Sequence, residues 1–346
     1  MQGERYSSAL QVASYGGHEH IVQLLLENGA DVHAQGGWYG SALRGASAGG
    51  HNHIVQWLLE KGADVNVKRG ESGSSALQLA SARGHNQIVQ WLLKKGADVH
   101  AKGGWYGSAL QAASARGHDH IVQWLLENGA DVNVQGGRYS SALQIASSEG
   151  HEHIVQLLLE NGADVNAQGG EYGSALQVAS YGGHEHIVQL LLEKGADVNA
   201  QEGRYGNALQ AASAQGYYYI VQLLLEKGAN VNAQGGEYGS ALQAASASGQ
   251  DDIVRRLLSK GADVNVKEGL YGSALQAAST EGHHYIVQLL LENGADVNAQ
   301  GGEYGSALQA ASAGGHDQIV QLLLENGANV NARGGALWQR AAGGFN

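Results

Sequence analysis

The dipeptide Ile-Val recurs along this chain at an almost constant interval, and that period constrains the fold more than any other feature. It starts at ten positions: Ile21, Ile54, Ile88, Ile121, Ile154, Ile187, Ile220, Ile253, Ile286 and Ile319. Gln follows it every time except at Arg255, and successive copies lie 33 residues apart, with one interval of 34. A fixed period of this size indicates an array of small units that stack in series, not one globular core.

The amino-acid composition excludes several classes of function for this chain. The chain has 346 residues and a formal charge of −12, from 32 acidic and 20 basic residues. This balance argues against general nucleic-acid binding and favours neutral or basic protein partners. Disulfides and thiolate metal sites are excluded because the sequence has no cysteine. With neither an apolar signal region after Met1 nor an apolar run of membrane length, we expect a cytoplasmic or nuclear protein without a membrane partner.

One frame divides the chain into ten repeats and a tail. The repeats are 3–35, 36–68, 69–102, 103–135, 136–168, 169–201, 202–234, 235–267, 268–300 and 301–333, and the tail is 334–346. The 34-residue repeat carries its additional residue between Lys68 and Ser75. We expect this insertion to lie in a loop, because an extra residue would shift the register of a helix.

The repeat at 169–201 predicts a short first helix, here called helix one. Ser174 followed by Gln177 has the form of a capping box, in which Ser is the N-cap and Gln lies three residues later. Such a cap contributes about 1 kcal/mol to stability. Small and apolar residues around Leu176 give the helix a narrow packing face, and Gly183 ends it.

A second helix, helix two, is predicted from about 184 to 193. Ile187 and Leu191 mark its apolar face, and Gly195 supplies the stop at its C-terminus. The following residues, 196–201, suggest an extended segment that turns back. Neither helix is long enough to be stable alone, so burial between neighbouring repeats must hold the array together.

These residues resemble the ankyrin repeat, in which Thr-Pro-Leu-His opens helix one and Gly-His precedes helix two. The matching segments are Gly183-His184, Ile187-Val188, Leu191-Leu192 and Gly195-Ala196-Asp197-Val198-Asn199. The match recurs across residues 3–333. The resemblance implies an all-α ankyrin-repeat solenoid of about ten repeats, with antiparallel helix pairs, β-hairpin fingers between them and a curved surface that binds proteins.

Two departures from that pattern stand out. Ser-Ala-Leu-Gln replaces Thr-Pro-Leu-His, and the chain has no proline. We expect helix one to survive, because the Ser/Gln capping box substitutes locally for Thr-Pro. The finger turn contains Gly-Gly-x-Tyr, as at 169–172, so we expect a looser finger that Tyr172 and its equivalents pack down.

This form of the repeat is similar to the long ankyrin arrays of filamentous fungi. Those arrays often form the C-terminal sensor of NACHT-type signalling ATPases, so the resemblance implies a receptor context. The chain starts inside a finger, without a polar capping repeat before it, and we therefore expect a monomer or a fragment of a larger protein. Residues 336–342 predict a partial eleventh helix that covers the last repeat.

Histidine is the first candidate for metal chemistry, because the chain has 16 of them and pairs such as His51 and His53 recur. Stacking could align them into a ladder that binds zinc. The alternative is that Gly-His is a structural element at the start of helix two. Tyr217 and Gln250 occupy that place in two repeats, which favours the structural role, and we predict no metal site.

The glycine-rich turn at 36–41 precedes a helix, a position that can hold phosphate. It lacks the Gly-Lys-Ser/Thr of a P-loop, and its recurrence marks a structural turn. Ser, His and Asp occur in every repeat, and no departure from the pattern combines them into a catalytic constellation. We predict a protein that is not an enzyme, with no catalytic residues and no cofactor.

Variation is concentrated at two places in an otherwise nearly constant repeat. The finger position is occupied by Arg5, Trp38, Trp105, Arg138, Glu171, Arg204, Glu237, Leu270 and Glu303. The second set follows helix one and includes Tyr15, Arg83, Arg116 and Tyr181. Variable tips over a constant frame are what a recognition surface would show, and the resemblance implies that both sets face its inner side.

Tryptophan is confined almost entirely to the second, third and fourth repeats. Trp57, Trp91 and Trp124 share one position on helix two, whereas Trp38 and Trp105 lie in fingers. Tryptophan is enriched in binding hot spots, where truncation costs about 2 kcal/mol or more. We favour a binding role for the two finger residues and a gap-filling role for the helix-two stripe.

The function these observations favour is non-catalytic protein recognition through finger tips and first helices, without nucleic acid. We expect the chain to be the sensor or ligand-binding part of a larger signalling protein. The alternative from a different class is a structural spacer whose near-identical repeats carry little partner specificity.

Overall fold

A computed structural model describes residues 8–37, 40–67, 73–136, 140–170, 173–201 and 203–332. The chain divides into two compact units, the first covering residues 1–164 and the second residues 165–346. The described residues form twenty α-helices in ten pairs. Each unit is an all-α stack of helix pairs, as the sequence predicts.

Within each pair the odd-numbered helix is helix one and the even-numbered helix is helix two. The first unit contains α1 (Ala9–Tyr15), α2 (Glu19–Glu27), α3 (Ala42–Gly49), α4 (Asn52–Glu60), α5 (Ala76–Arg83), α6 (Asn86–Lys94), α7 (Ala109–Ala115), α8 (Asp119–Glu127), α9 (Ala142–Glu149) and α10 (Glu152–Glu160). The second contains α11 (Ala175–Gly182), α12 (Glu185–Glu193), α13 (Ala208–Gln215), α14 (Tyr218–Glu226), α15 (Ala241–Ala247), α16 (Asp251–Ser259), α17 (Ala274–Glu281), α18 (His284–Glu292), α19 (Ala307–Gly314) and α20 (Asp317–Glu325).

The core of each unit is a layer of helix-one residues backed by helix two. In the α7/α8 pair, Leu110 and Ala113 of helix one and Ile121 and Leu125 of helix two are fully buried. Within each unit, successive first helices pack directly on one another, and their Ala and Ser side chains allow this close approach. Burial between repeats therefore stabilises helices of only seven to nine residues, which would not persist alone.

Both ends of helix one follow from local sequence. In α9 the Ser141 side chain accepts a hydrogen bond from the backbone N–H of Gln144 at 3.2 Å. The Gln144 side chain accepts one from the backbone N–H of Ser141 at 2.8 Å, which completes the capping box. Gly150 ends the helix with φ at 78°, a left-handed conformation that favours glycine. The predicted capping box at Ser174 and Gln177 is likewise present.

The capping glutamine has a second role that the local pattern does not predict. The Gln210 side-chain amide donates hydrogen bonds to the carbonyls of Gly235 at 3.1 Å and Gly239 at 3.0 Å, both in the finger of the next repeat. In the first unit, Gln78 donates in the same way to Gly103 and Gly107. One buried side chain thus starts its own helix and holds the following finger.

The fingers are smaller than the β-hairpins that the resemblance implied. Each finger that forms a bridge does so through a single isolated pair: Gly36–Gly40, Gly103–Gly107, Gly235–Gly239, Glu268–Gly272 and Gly301–Gly305. Glycines with positive φ, such as Gly235 at 136° and Gly236 at 63°, turn the chain too sharply for a longer ladder. The expectation of β-hairpin fingers is therefore corrected to tight glycine turns.

The segment after helix two is also a turn, not the extended stretch that was expected. The Asp263 side chain accepts the backbone N–H of Asn265 at 2.9 Å, which closes an Asx turn. Asn265 in turn donates to the carbonyl of Gly294 at 3.1 Å and accepts the backbone N–H of Asp296 at 2.8 Å. The asparagine thereby connects this turn to the equivalent turn of the next repeat.

Two histidines interrupt that connection in the first unit. His33 and His100 occupy the asparagine position, and within the described residues neither makes the pair of side-chain bonds to the next turn that the asparagines make. A cavity of about 140 Å³ lies beside His100, with Asp131 and Val134 among its lining residues.

The histidine before helix two packs against the repeat that precedes it. His51 donates from Nε2 to the carbonyl of Tyr15 at 2.9 Å. A Cβ on Gly17, whose φ is 72°, would collide with the His51 ring. The sequence expectation of a structural Gly-His is consistent with this packing. Burial lowers the pKa of the equivalent His85 and His118 below that of a free imidazole.

The double role of the capping glutamine gives a stability prediction. Gln210→Ala removes both the cap bond and the side-chain bonds to the next finger. We expect a loss of about 2 kcal/mol in the free energy of unfolding, measured by urea titration with circular dichroism. Gln222→Ala is the matched control, because Gln222 is a helix-two residue that bonds only to the exposed Glu226. Its cost should stay within about 0.5 kcal/mol, and equal costs for both variants would contradict the role given to Gln210.

A column of buried serines near the end of helix one gives a second stability prediction. The Ser246 hydroxyl is fully buried and has no hydrogen-bond partner among the described residues, and the same is true of its equivalents in eight other repeats. Since an unpaired buried hydroxyl costs about 1 to 3 kcal/mol, Ser246→Ala should leave stability unchanged or raise it. Ser240→Ala, which removes the N-cap of α15, should cost about 1 kcal/mol in the same urea titration. A larger loss for Ser246→Ala than for Ser240→Ala would show that the buried hydroxyl is stabilising.

Candidate functional site

Finger tips and the C-terminal ends of the first helices meet on one surface within each unit. In the first unit, Arg116 caps α7 and donates from Nε to the Tyr106 hydroxyl of the same repeat's finger at 2.9 Å. Its guanidinium lies 5.8 Å from the centre of the Tyr106 ring. The finger tyrosine therefore orients the charged residue at the helix end.

The second unit repeats this arrangement with the opposite charge. Tyr271 donates from its hydroxyl to the Glu281 carboxylate at 3.1 Å, across the same separation of ten residues. Elsewhere in this unit the Tyr181 ring, at the end of α11, stacks on the Tyr205 ring of the next finger. Their centres are 4.0 Å apart and their planes differ by 17°. The predicted packing role of the finger tyrosines is thus seen at Tyr106, Tyr205 and Tyr271, whereas Tyr172 lies outside the described residues.

Neighbouring fingers in the second unit are also joined to each other. The Glu237 backbone N–H donates to the Arg204 carbonyl at 3.1 Å, and the Leu270 N–H donates to the Glu237 carbonyl at 3.2 Å. The Arg204 guanidinium pairs with the Glu237 carboxylate at 2.8 Å. Both side chains are partly exposed, so this ion pair contributes little to stability, but it fixes two adjacent tips.

Nine of the thirteen predicted binding residues lie within the part of the chain that the structure describes. Exposed positions are held by Tyr15, Arg83, Trp105, Arg116, Arg204, Leu270 and Glu303, whereas Glu237 and Tyr181 are half-buried. Trp105 and Leu270 are the most open of the apolar ones, at 69% and 57% exposure. The remaining four, Arg5, Trp38, Arg138 and Glu171, lie outside the described residues.

Arg44 is a buried charged residue at the start of helix one that the sequence analysis did not single out. It occupies the place of the capping glutamine in its repeat, and it is only 2% exposed. Burial lowers the pKa of its guanidinium below the usual value. The signal available in the sequence was Ser-Ala-Leu-Arg at 41–44, where the other repeats have Gln at the last position.

Burial and neighbouring carboxylates raise the pKa of two finger tyrosines. Desolvation is the first cause for Tyr271, followed by the negative charge of Glu281 and their hydrogen bond, and together they raise the pKa of Tyr271 to about 12. Desolvation and the charge of Glu237 raise the pKa of Tyr238 in the same direction. Both tyrosines therefore remain neutral at physiological pH.

The helix-two stripe lies away from these contacts. Trp57, Trp91 and Trp124 are all half-buried, and Trp57 and Trp124 stack on His53 and His120 one turn earlier. The acidic residues at the ends of these helices are exposed, as expected for a solvated face.

In the parts of the chain that are described, no group of three or more His, Asp or Glu residues is arranged to hold a metal ion. Among the same residues, no helix is long and apolar enough to cross a membrane.

Comparison with known families agrees with the geometry. A family model described as "Ankyrin repeats (3 copies)" matches in overlapping copies at residues 9–103, 43–136, 77–169, 109–202, 143–235, 176–268 and 241–334. The chain belongs to the ankyrin-repeat family. Ankyrin repeats are in general non-catalytic protein-interaction modules, which is the class of function that the sequence predicts. A search of curated proteins returned no match.

The pKa of Tyr271 predicts an alkaline response of this surface. Because its folded-state pKa of about 12 lies above the ordinary value near 10, the unfolded chain loses this proton first. The contribution of neutral Tyr271 to the free energy of unfolding is therefore fully present below about pH 10 and is lost as the pH rises towards 12.

Absorbance at 295 nm during a pH titration should show one tyrosine fewer ionising near pH 12 in Tyr271→Phe. In Glu281→Gln that tyrosine should ionise at lower pH, because the neighbouring negative charge is gone. An unchanged titration in Glu281→Gln would contradict the coupling between the two side chains.

Proposed function

We propose that this ankyrin array recognises a protein partner through the surface formed by its finger tips and helix-one ends. Three features support the proposal. Seven of the nine described variable residues are exposed there, buried glutamines hold the finger backbones beneath them, and tyrosines orient the charged side chains of Arg116 and Glu281. Helix two varies at its first two residues and at the position of Trp57, but it keeps the Ile-Val dipeptide in all ten repeats.

The observation that carries the proposal is the exposure of large apolar side chains at fixed tips. Trp105 and Leu270 are the finger residues of their repeats, and both expose more than half of their surface. The Leu270 backbone is at the same time hydrogen-bonded to the neighbouring finger. An exposed apolar group on an ordered backbone loses little entropy on binding, which favours affinity.

The setting of this activity is also a proposal. The similarity of the repeats to fungal sensor arrays supports a role as the ligand-binding part of a larger signalling protein in the cytosol or nucleus. A native transcript that encodes only these repeats would contradict that setting without affecting the recognition surface.

A spacer role is the second candidate. The near-identity of the helices favours it, since a rigid array needs no specific surface to separate two attached domains. The two candidates differ in one respect that can be measured, namely whether the variable finger tips contact another protein.

Site-specific photocrosslinking in cells tests the recognition proposal. A benzophenone amino acid is placed at the position of Trp105 or Leu270, and the control places it at Val330, which is 68% exposed on a turn after helix two. We expect covalent protein adducts at the two finger positions and few at the control. Adducts of equal yield at all three positions, or none at any, would favour the spacer.

A further inference from the structure

A repeat in each unit carries a charge at the end of helix one, and these two charges are of opposite sign on the same scaffold. Arg116 and Glu281 occupy equivalent positions, and each is held by the hydroxyl of the finger tyrosine ten residues earlier. Trp105 and Leu270 are likewise equivalent, one residue before those tyrosines. The tyrosine and the helix frame are kept in both repeats, whereas the charge at the helix end and the apolar residue at the finger tip differ.

Arg116 is arranged to bind an anionic group. Its Nε is occupied by Tyr106, and no other hydrogen bond of its guanidinium is found within the described residues. The Arg116 side chain is exposed, so a ligand can reach its two terminal nitrogens. The two terminal nitrogens of a guanidinium form a planar pair of donors whose geometry matches the two oxygens of a carboxylate.

Arg83 adds a second cation from the preceding repeat. It is the last residue of α5, where the helix dipole favours a positive charge. One of its terminal nitrogens donates to the carbonyl of Ala48, at the end of α3. The side chain is exposed and anchored, so the first unit presents two oriented guanidinium groups on successive repeats.

We propose that Arg83, Trp105 and Arg116 form a docking surface for an acidic, extended segment of a partner protein. The segment would place carboxylates on the two arginines and an apolar side chain against the Trp105 ring. Charge complementarity supports this occupant, because Arg83 and Arg116 occupy the same position in successive repeats and no acidic residue takes that position before Glu149. The inference rests on the proposed function and specifies the chemistry of its partner.

A protein segment fits better than nucleic acid. Acidic residues outnumber basic ones across residues 1–164, whereas nucleic-acid binding depends on a broad basic footprint along the backbone. Two arginines beside an exposed tryptophan fit a short segment with alternating acidic and apolar side chains.

Selection from a random twelve-residue peptide library displayed on phage, against the full chain, tests the proposal. We expect enrichment of peptides rich in Asp and Glu that also contain an apolar residue. Fluorescence anisotropy with the enriched peptides should then show a loss of affinity of about tenfold or more for Trp105→Ala and for Arg116→Glu. Leu270→Ala is the matched control at the equivalent finger and should bind these peptides like the unaltered chain.

Arg116→Glu should fold, because Tyr271 and Glu281 show that this scaffold accommodates a carboxylate at the same place. Circular dichroism and a thermal melt verify this before binding is measured. The double variant Arg83→Glu, Arg116→Glu should lose the acidic peptides and gain basic ones.

The outcomes separate this inference from the general proposal. Enriched peptides that are basic or neutral, or acidic peptides that bind Arg116→Glu normally, would overturn the acidic-segment inference and leave protein recognition standing. A selection that enriches nothing would count against both. A labelled twenty-nucleotide poly(U) RNA serves as the nucleic-acid probe. If it binds more tightly than the enriched peptides, and if Arg116→Glu abolishes that binding, the partner would be a nucleic acid and not a protein segment.

Discussion

In eight of the ten repeats, the hydrogen bonds of one buried glutamine are the interaction on which the rest of this structure depends. In Gln210 the side-chain oxygen accepts the backbone N–H of Asn207 at the start of α13, and the amide donates to carbonyls of the following finger. A single residue therefore joins helix initiation to the placement of the next repeat. Because the finger makes only one backbone bridge of its own, its position depends on this external donor and on the neighbouring fingers.

This division of roles explains how the array can vary its surface without losing its fold. Gly-His contacts, asparagine bonds between turns and the glutamine bonds are backbone-directed, so they do not depend on the residues at the tips. Trp105 and Leu270 can therefore replace each other at one position, and Arg116 and Glu281 at another, while the tyrosine that orients the charge is kept. Within each unit, the chemistry of recognition is set by a few exposed side chains on a constant frame.

Local features of the fold were predictable from sequence, whereas contacts between repeats were not. Ser174 with Gln177 predicted the capping box, and Ile187 with Leu191 predicted the buried face of helix two, because both patterns act within one or two turns. The second role of Gln210 spans 25 to 29 residues and leaves no local signal. The hairpin expectation was wrong because glycine φ values at positions such as Gly235 and Gly236 end the pairing after one bridge. At the candidate site, the variable positions could be identified from sequence, but the tyrosine contacts that orient Arg116 and Glu281 could not.

Native-state amide hydrogen exchange in Gln243→Ala tests most directly the claim that this glutamine holds the next finger. Gln243 donates to the carbonyls of Glu268 at 2.6 Å and Gly272 at 3.0 Å, and the Leu270 N–H between them bonds to Glu237. The account predicts that the Leu270 amide exchanges much faster in Gln243→Ala, while amides of α16 in the same repeat keep their protection. Gln288→Ala, at an exposed glutamine that bonds only to Glu292, should leave Leu270 unchanged. Unaltered exchange at Leu270 in Gln243→Ala, or an equal loss of protection throughout the repeat, would contradict the central claim.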